Sequence, residues 1–153
     1  VKKFCALAMP NAQNFFTQED KDRIRAAILK AELDTSGEIR VHIENHCKGD
    51  VLDRAAFLFD YLKINQTEQR NGVLFYLAVK DRRFAILGDI GINEVVEEYF
   101  WEEIKQLMSE HFKLGDFTTG LEHGIERAGQ KLKKHFPYHS DDINELSDEL
   151  SFG

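Results

Sequence analysis

Two rhythms of apolar residues run along the chain. Ile24, Ala27, Ile28 and Ala31 recur at helical spacing, with Lys21, Arg25 and Lys30 on other faces. This predicts an amphipathic helix. Thr17 followed by Asp20 gives it a hydroxyl cap and an acid near its positive end, and Asp34-Thr35-Ser36-Gly37 ends it. Over Glu38–Glu44 the rhythm becomes alternation, Glu-Ile-Arg-Val-His-Ile-Glu, which predicts a half-buried strand. Asp50 is placed to cap a second helix running to about Lys63, with Leu52, Ala55, Ala56, Phe59 and Leu62 on its buried side. A polar connection over 64–70 follows.

The stretch from Asn71 to Trp101 organises the rest. Gly72 to Val79 is nearly all apolar, as expected of a strand covered on both faces. Lys80-Asp81-Arg82 turns the chain, and Arg83 to Leu87 returns as an antiparallel partner. Gly88-Asp89-Ile90-Gly91 breaks the pattern and sets a carboxylate in a turn. A third helix is expected from about Glu94 to Phe112, burying some of Val95, Tyr99, Phe100, Ile104, Leu107 and Met108. A fourth runs from Phe117 to Phe136 after the turn Leu114-Gly115-Asp116, with Leu121, Ile125, Ala128 and Leu132 as its stripe. Gly120 and Gly124, one turn apart on it, predict close packing, and Pro137 stops it. Strand, helix, strand in succession implies a parallel crossover, so the class is α/β with a small mixed sheet. The divisions are an N-terminal arm over 1–16, a domain over 17–136 and an acidic tail over 137–153, the arm loose and the tail flexible with at most a short helical turn.

At 153 residues, 42% hydrophobic and 31% charged, the chain is one soluble globular domain by size and composition. A net charge of -7 argues against nucleic acid as the main partner, because phosphate binding needs a basic face. It suits a cation, and equally suits plain solubility. Cys5 and Cys47 are too few for a disulfide scaffold, which predicts free thiols in a reducing compartment. No run is long enough to span a membrane, and the opening residues are too short for a signal peptide. A cytoplasmic monomer is expected.

Three stretches taken in order resemble the TPM domain family. They are Thr35-Ser36-Gly37-Glu38-Ile39-Arg40-Val41; Asn71-Gly72-Val73-Leu74 through Asp81-Arg82-Arg83 to Gly88-Asp89-Ile90-Gly91-Ile92; and Phe112-Lys113-Leu114-Gly115-Asp116-Phe117 with Gly120 and Gly124. The family includes thylakoid-lumen proteins linked to photosystem II repair, a nematode receptor accessory protein and many bacterial proteins. The look here is of a stand-alone Bacteroidetes-type member. The resemblance covers roughly Thr17 to Phe136. It implies a three-layer α/β/α sandwich, an association with calcium or another divalent ion, magnesium included, and weak acid phosphatase activity as known for a plant member. Many relatives carry a signal peptide or membrane anchor, and neither is evident in this sequence.

Parallel first and second strands with a returning third would put the start of strand one beside the end of strand three. Glu38 and Asp89 would then approach, joined by Asn93, Glu94 and Glu98 at the start of helix three. Glu38 matches the family's acidic position after the small-residue turn, and Glu98 falls where many members have Asp. Hard cations take several oxygen ligands, which makes Glu38, Asp89, Asn93 and Glu98 the candidate metal set. The competing account is solvated acids plus a carboxylate stabilised at a helix N-terminus. Asp50, Asp53, Asp81 and Asp116 form a reserve set at the opposite edge, with helix capping as the alternative for Asp50 and Asp116. His42, His46, His111, His123, His135 and His139 show no zinc-binding helix pair with a glutamate base. No nucleophile elbow or P-loop is present. Arg70, Arg82 and Arg83 are available to steer a phosphate. The sequence therefore favours a binding or accessory module for a divalent cation, with a metal-dependent phosphomonoesterase and a metal-free protein-interaction domain as alternatives.

Overall fold

A computed structural model describes residues 14–138 and 150–153. The elements run α1 (Gln18–Glu32), β1 (Glu38–Glu44), α2 (Val51–Tyr61), a single 3-10 turn (Ile64–Gln66), β2 (Gly72–Ala78), β3 (Arg83–Gly88), a short α3 (Ile90–Asn93), α4 (Phe100–Lys113), α5 (Phe117–His135) and β4 (Leu150–Phe152). The sheet order is β3-β2-β1-β4. β1 pairs in parallel with β2, from Glu38↔Gly72 to Glu44↔Ala78. β2 and β3 form the expected antiparallel pair, Val73↔Gly88 to Ala78↔Arg83.

The sheet carries helices on both faces. Ile39, Val41 and Ile43 of β1 and Val73, Phe75 and Leu77 of β2 share a core with α1, α4 and α5, through Ile24, Ile28, Ile104, Met108, Leu121, Ile125, Ala128 and Leu132. On the other face Leu74, Tyr76 and Ala78 pack against Ala55, Leu58 and Phe59 of α2. α1 starts where the sequence places it. The Thr17 hydroxyl accepts from the Asp20 N–H at 3.0 Å, and the Thr17 N–H donates back to the Asp20 carboxylate at 3.3 Å, a reciprocal cap. Among the described residues no helix is long and apolar enough to cross a membrane.

Several expectations shift. Phe16 is buried and Phe15 packs edge-on against Phe117, so the packed domain begins before residue 17. In α2, Leu52 and Ala56 are exposed and Leu58 takes the buried position. The third helix begins at Phe100 rather than near Glu94. Asp89 caps a separate short turn of helix, and Asn93 then fixes a corner by donating to the Gly88 carbonyl and accepting from Trp101 Nε1, each at 2.8 Å. Val95 and Tyr99 are exposed as a result. β1, expected to be half-buried, is buried at all seven positions. Part of the tail is neither helical nor loose: Leu150–Phe152 adds to the open edge of β1 in parallel, Val41↔Leu150 to Ile43↔Phe152. The stretch 139–149, where the tail was allowed a short helical turn, lies outside the described residues, as do Cys5 and most of the arm.

α1 and α5 meet closely at Gly129, where a Cβ would come within 2.6 Å of Ala31 Cβ and 2.9 Å of its Cα. Backbone stands in the way there, and only a shift of the helix could make room. Gly129→Ala is expected to destabilise the domain by about 1–3 kcal/mol through overpacking. The exposed neighbour change Gln130→Ala should stay within about 0.5 kcal/mol. Urea titration of both variants measures the difference.

Candidate functional site

The residues singled out for a cation occupy the edge where β1 and β2 begin and β3 ends. Asp89 follows β3, and its backbone N–H donates to the Gly72 carbonyl at 2.9 Å. Its carboxylate is 6% exposed and fully engaged. Arg70 Nε donates to Oδ2 at 2.7 Å and Arg70 Nη2 to Oδ1 at 2.8 Å, while the Ile90 N–H donates to Oδ1 at 2.8 Å. The Arg70 side chain is 49% exposed. It sits in the left-handed region at φ 52°, and its carbonyl accepts the Gly91 N–H at 2.8 Å. Asn71 is buried beside it, with Nδ2 donating to Ser36 Oγ at 3.2 Å and Oδ1 without a hydrogen-bond donor.

Glu38 does not reach Asp89 directly. β2 stands between β1 and β3, correcting the expectation that strand one begins beside the end of strand three. Glu38 pairs with Gly72 on one side and Asp89 bonds Gly72 on the other, a separation of two strand spacings, roughly 10 Å. Ile64 fills the gap: a Cβ on Gly72 would lie 2.6 Å from the Ile64 carbonyl oxygen. Glu38 is buried. Asn93 lies in the Asp89 corner with both amide atoms bonded, and Glu98 is exposed in the turn before α4. Asp89 and Asn93 therefore share a corner, Glu98 lies in the exposed turn that follows, and Glu38 stands apart. Among the described residues no three His, Cys, Asp or Glu side chains are grouped to hold a metal.

A second polar cluster, which the sequence did not suggest, lies toward the other ends of the same strands. Arg54 of α2 donates to both Glu44 oxygens, through Nε at 3.0 Å and through Nη2. The Tyr76 hydroxyl donates to Glu44 Oε2 at 2.5 Å. His42 Nδ1 lies 2.9 Å from Ser151 Oγ of β4, and its Nε2 is 3.7 Å from Glu44 Oε1. The alternation of β1 was the available signal, since Glu38, Arg40, His42 and Glu44 all fall on the α2 face, but alternation alone reads as a solvated face.

The reserve acids divide. Asp50 caps α2 by accepting from the Leu52 and Asp53 N–H groups. Asp81 accepts from the Cys47 N–H at 2.7 Å and pairs with His46 Nδ1 at 2.8 Å. Asp116 caps α5 and lines a hollow with Phe15, Asp20, Arg23 and Phe117, a setting that includes none of the other three. Cys47 is a buried free thiol, and His46 turns to Asp81. Arg83 donates to the Cys47 carbonyl at 3.3 Å.

Comparison with known proteins adds to this geometry. The TPM domain family model matches residues 10–131. The chain is similar to the solved structure of the BA42 protein from the psychrophilic bacterium Bizionia argentinensis, at 48% identity and a TM-score of 0.83, covering 91% of this chain and 96% of that one. It shares its fold with the N-terminal domain of a protein from P. gingivalis, at 18% identity, TM-score 0.67 and coverage of 81% and 82%. The N-terminal domain of the cg2496 protein from Corynebacterium glutamicum has the same fold at 14% identity, TM-score 0.64 and coverage of 88% and 84%. No curated protein matches the chain.

The Glu44 cluster makes stability depend on pH. Burial pushes His42 below its ordinary 6.5; Glu44 opposes this, and Arg54 and Arg40 reinforce it. Burial pushes Glu44 up, but the Arg54 and Tyr76 hydrogen bonds with the Arg54 charge outweigh it and hold the carboxyl below its ordinary value. Burial first, then Glu44 and Cys47, raises the Tyr76 phenol. As pH falls through about 6.5, the unfolded chain protonates His42 before the folded chain does. The His42 contribution is thus complete above that value and is lost below it. The Glu44 contribution is complete above the ordinary carboxylate value and is lost as pH falls through its lower folded value. Melting temperature should fall from about pH 7.5 to about pH 5.5, and His42→Gln should flatten the slope. Tyr76→Phe, which removes a donor from a buried carboxylate, should cost about 1.5–3 kcal/mol. Thermal melts across this range test both.

Proposed function

Since the chain belongs to the TPM domain family, we propose that it is a binding or accessory module that takes a divalent cation of the calcium class at the Asp89 corner of its sheet. One observation carries the proposal. Asp89 is buried, yet its charge is met by a half-exposed arginine from the preceding loop, bonded to both carboxylate oxygens. A buried carboxylate needs a positive partner, and this one can leave into solvent without disturbing the core. A hard cation would take its place.

The donors around it suit such an ion in kind. The Asp89 carboxylate, the Asn93 amide oxygen and the exposed Glu98 carboxylate five residues after Asn93 are all oxygen ligands in kind, with water completing the shell. Asn93 is at present bonded to Trp101 and Gly88, so its oxygen enters only as the Trp101 bond opens. Glu38, two strand spacings from Asp89, is not a ligand in this reading. Magnesium, with its shorter bonds and stronger hold on water, is the weaker competitor here. The bound ion would supply a fixed positive charge where the arginine now sits, and in a phosphomonoesterase that charge would orient phosphate and water.

Calcium titration of the metal-free chain, followed by amide shifts, tests the proposal. Saturable shifts over 69–72, 88–93 and Glu98 are expected, with binding weakened at least about tenfold by Asp89→Asn. Arg70→Gln should lower the melting temperature without calcium and tighten calcium binding, because it removes the competing cation and leaves the carboxylate unpaired. Binding unchanged by Asp89→Asn, or shifts that do not saturate, would remove the cation and leave the protein-interaction alternative. Calcium-dependent turnover of p-nitrophenyl phosphate, lost in Asp89→Asn, would reassign the corner to phosphomonoester hydrolysis.

A further inference from the structure

α4 and α5 form a helical hairpin whose spacing is set by Gly120. A Cβ there would lie 2.7 Å from Phe112 Cε1 and 3.1 Å from His111 Cβ, so the missing side chain brings the helices together beside His111. His123 follows three residues later on α5, at helical spacing from Gly120 and therefore on a neighbouring face. The two imidazoles meet across the gap with centroids 4.9 Å apart and planes inclined by 16°. His111 is partly buried in the last turn of α4, and His123 is exposed. The Asp116 N–H donates to the His111 carbonyl at 3.0 Å, which fixes the intervening turn against the same residue.

We infer that His111 and His123 form a two-imidazole site for a borderline divalent metal of the zinc, nickel or copper class, separate from the oxygen-lined Asp89 corner. Imidazole nitrogen suits these ions and not calcium. Two zinc–nitrogen bonds of about 2.0–2.1 Å place their nitrogens roughly 3.3 Å apart at a tetrahedral angle. The rings, with centroids 4.9 Å apart and stacked at 16°, are near enough for one ion, and side-chain rotation would have to turn their in-plane lone pairs onto it. The helices hold both Cβ atoms in position, so little chain entropy is lost on binding. Two protein ligands leave the remaining positions to water or to a donor from a partner, giving an open surface site rather than a closed structural one.

Zinc added to the 153-residue chain, followed by calorimetry and histidine-ring NMR, tests the inference. One saturable equivalent is expected, with the ring signals of His111 and His123 moving together. His123→Phe keeps an aromatic ring against His111 but removes the ligand, so it should weaken zinc binding at least about tenfold while leaving the melting temperature near the parent's. His111→Asn should weaken it similarly, and Asp89→Asn should leave it unchanged. Parent-like zinc binding by His123→Phe, shifts confined to other histidines, or the absence of a saturable phase would each overturn the site. Loss of zinc binding in Asp89→Asn with both histidine variants unaffected would move the metal to the sheet edge.

Discussion

A strand carrying four ionisable side chains lies inside this sheet, and much of the architecture answers to that constraint. β1 pairs on both sides and is buried throughout. Its odd-numbered residues Ile39, Val41 and Ile43 join the large core, while Glu38, Arg40, His42 and Glu44 face the other way. Burying a carboxylate without partners costs several kcal/mol. Three different elements therefore converge on the end of β1. Arg54 comes from α2, Tyr76 from β2 and Ser151 from β4. The same contacts that satisfy the charges also anchor the helix and the edge strand, so electrostatics and topology are coupled here.

That coupling explains what could be read from the chain and what could not. Signals confined to a few neighbouring residues were legible. The Thr17–Asp20 cap, the apolar run of β2 and the charged turn into β3 each follow from local sequence, and with them came the α/β class; the helices on both faces were what the family resemblance implied. Features that depend on distant partners were hidden. Arg54, Tyr76 and Ser151 stand 10, 32 and 109 residues from the side chains they satisfy. Without them the alternation of β1 reads as a wet face. β4 was equally obscure, because a three-residue strand after an acidic stretch has too little periodicity to announce itself, and its pairing is decided by the open edge of β1.

The candidate corner was legible in part for the same reason. Asp89 in a glycine-bounded turn stood out, and Asn93 lies within one helical turn of it. The partner Arg70, 19 residues earlier, belonged to a connection with no pattern of its own. Glu38 was drawn to Asp89 by a strand order that omitted β2 from the middle. Gly72 then lets the Ile64 carbonyl settle over the strand, which turns a proposed contact into a wedge between two acids.

Among the described residues four arginine–carboxylate pairs join separate elements. Arg127 and Glu103, 46% and 65% exposed, lie 3.9 Å apart at the surface, and comparing the other three isolates the corner proposed to exchange its cation. Arg23 and Glu122 tie α1 to α5 at the surface, with side chains 43% and 30% exposed; water already serves both ions, and such pairs contribute little. Glu44 is buried, but Tyr76 bonds it as well as Arg54, so replacing the arginine would dismantle the packing around a phenol and α2. Asp89 combines a buried carboxylate with a partner that projects from a loop into solvent. Its remaining hydrogen bond, from the Ile90 N–H, is local and can persist when Arg70 departs. Burial makes a positive partner necessary, and the loop makes that particular partner replaceable. A site for reversible cation exchange needs both conditions, and of these three pairs only Arg70–Asp89 meets them.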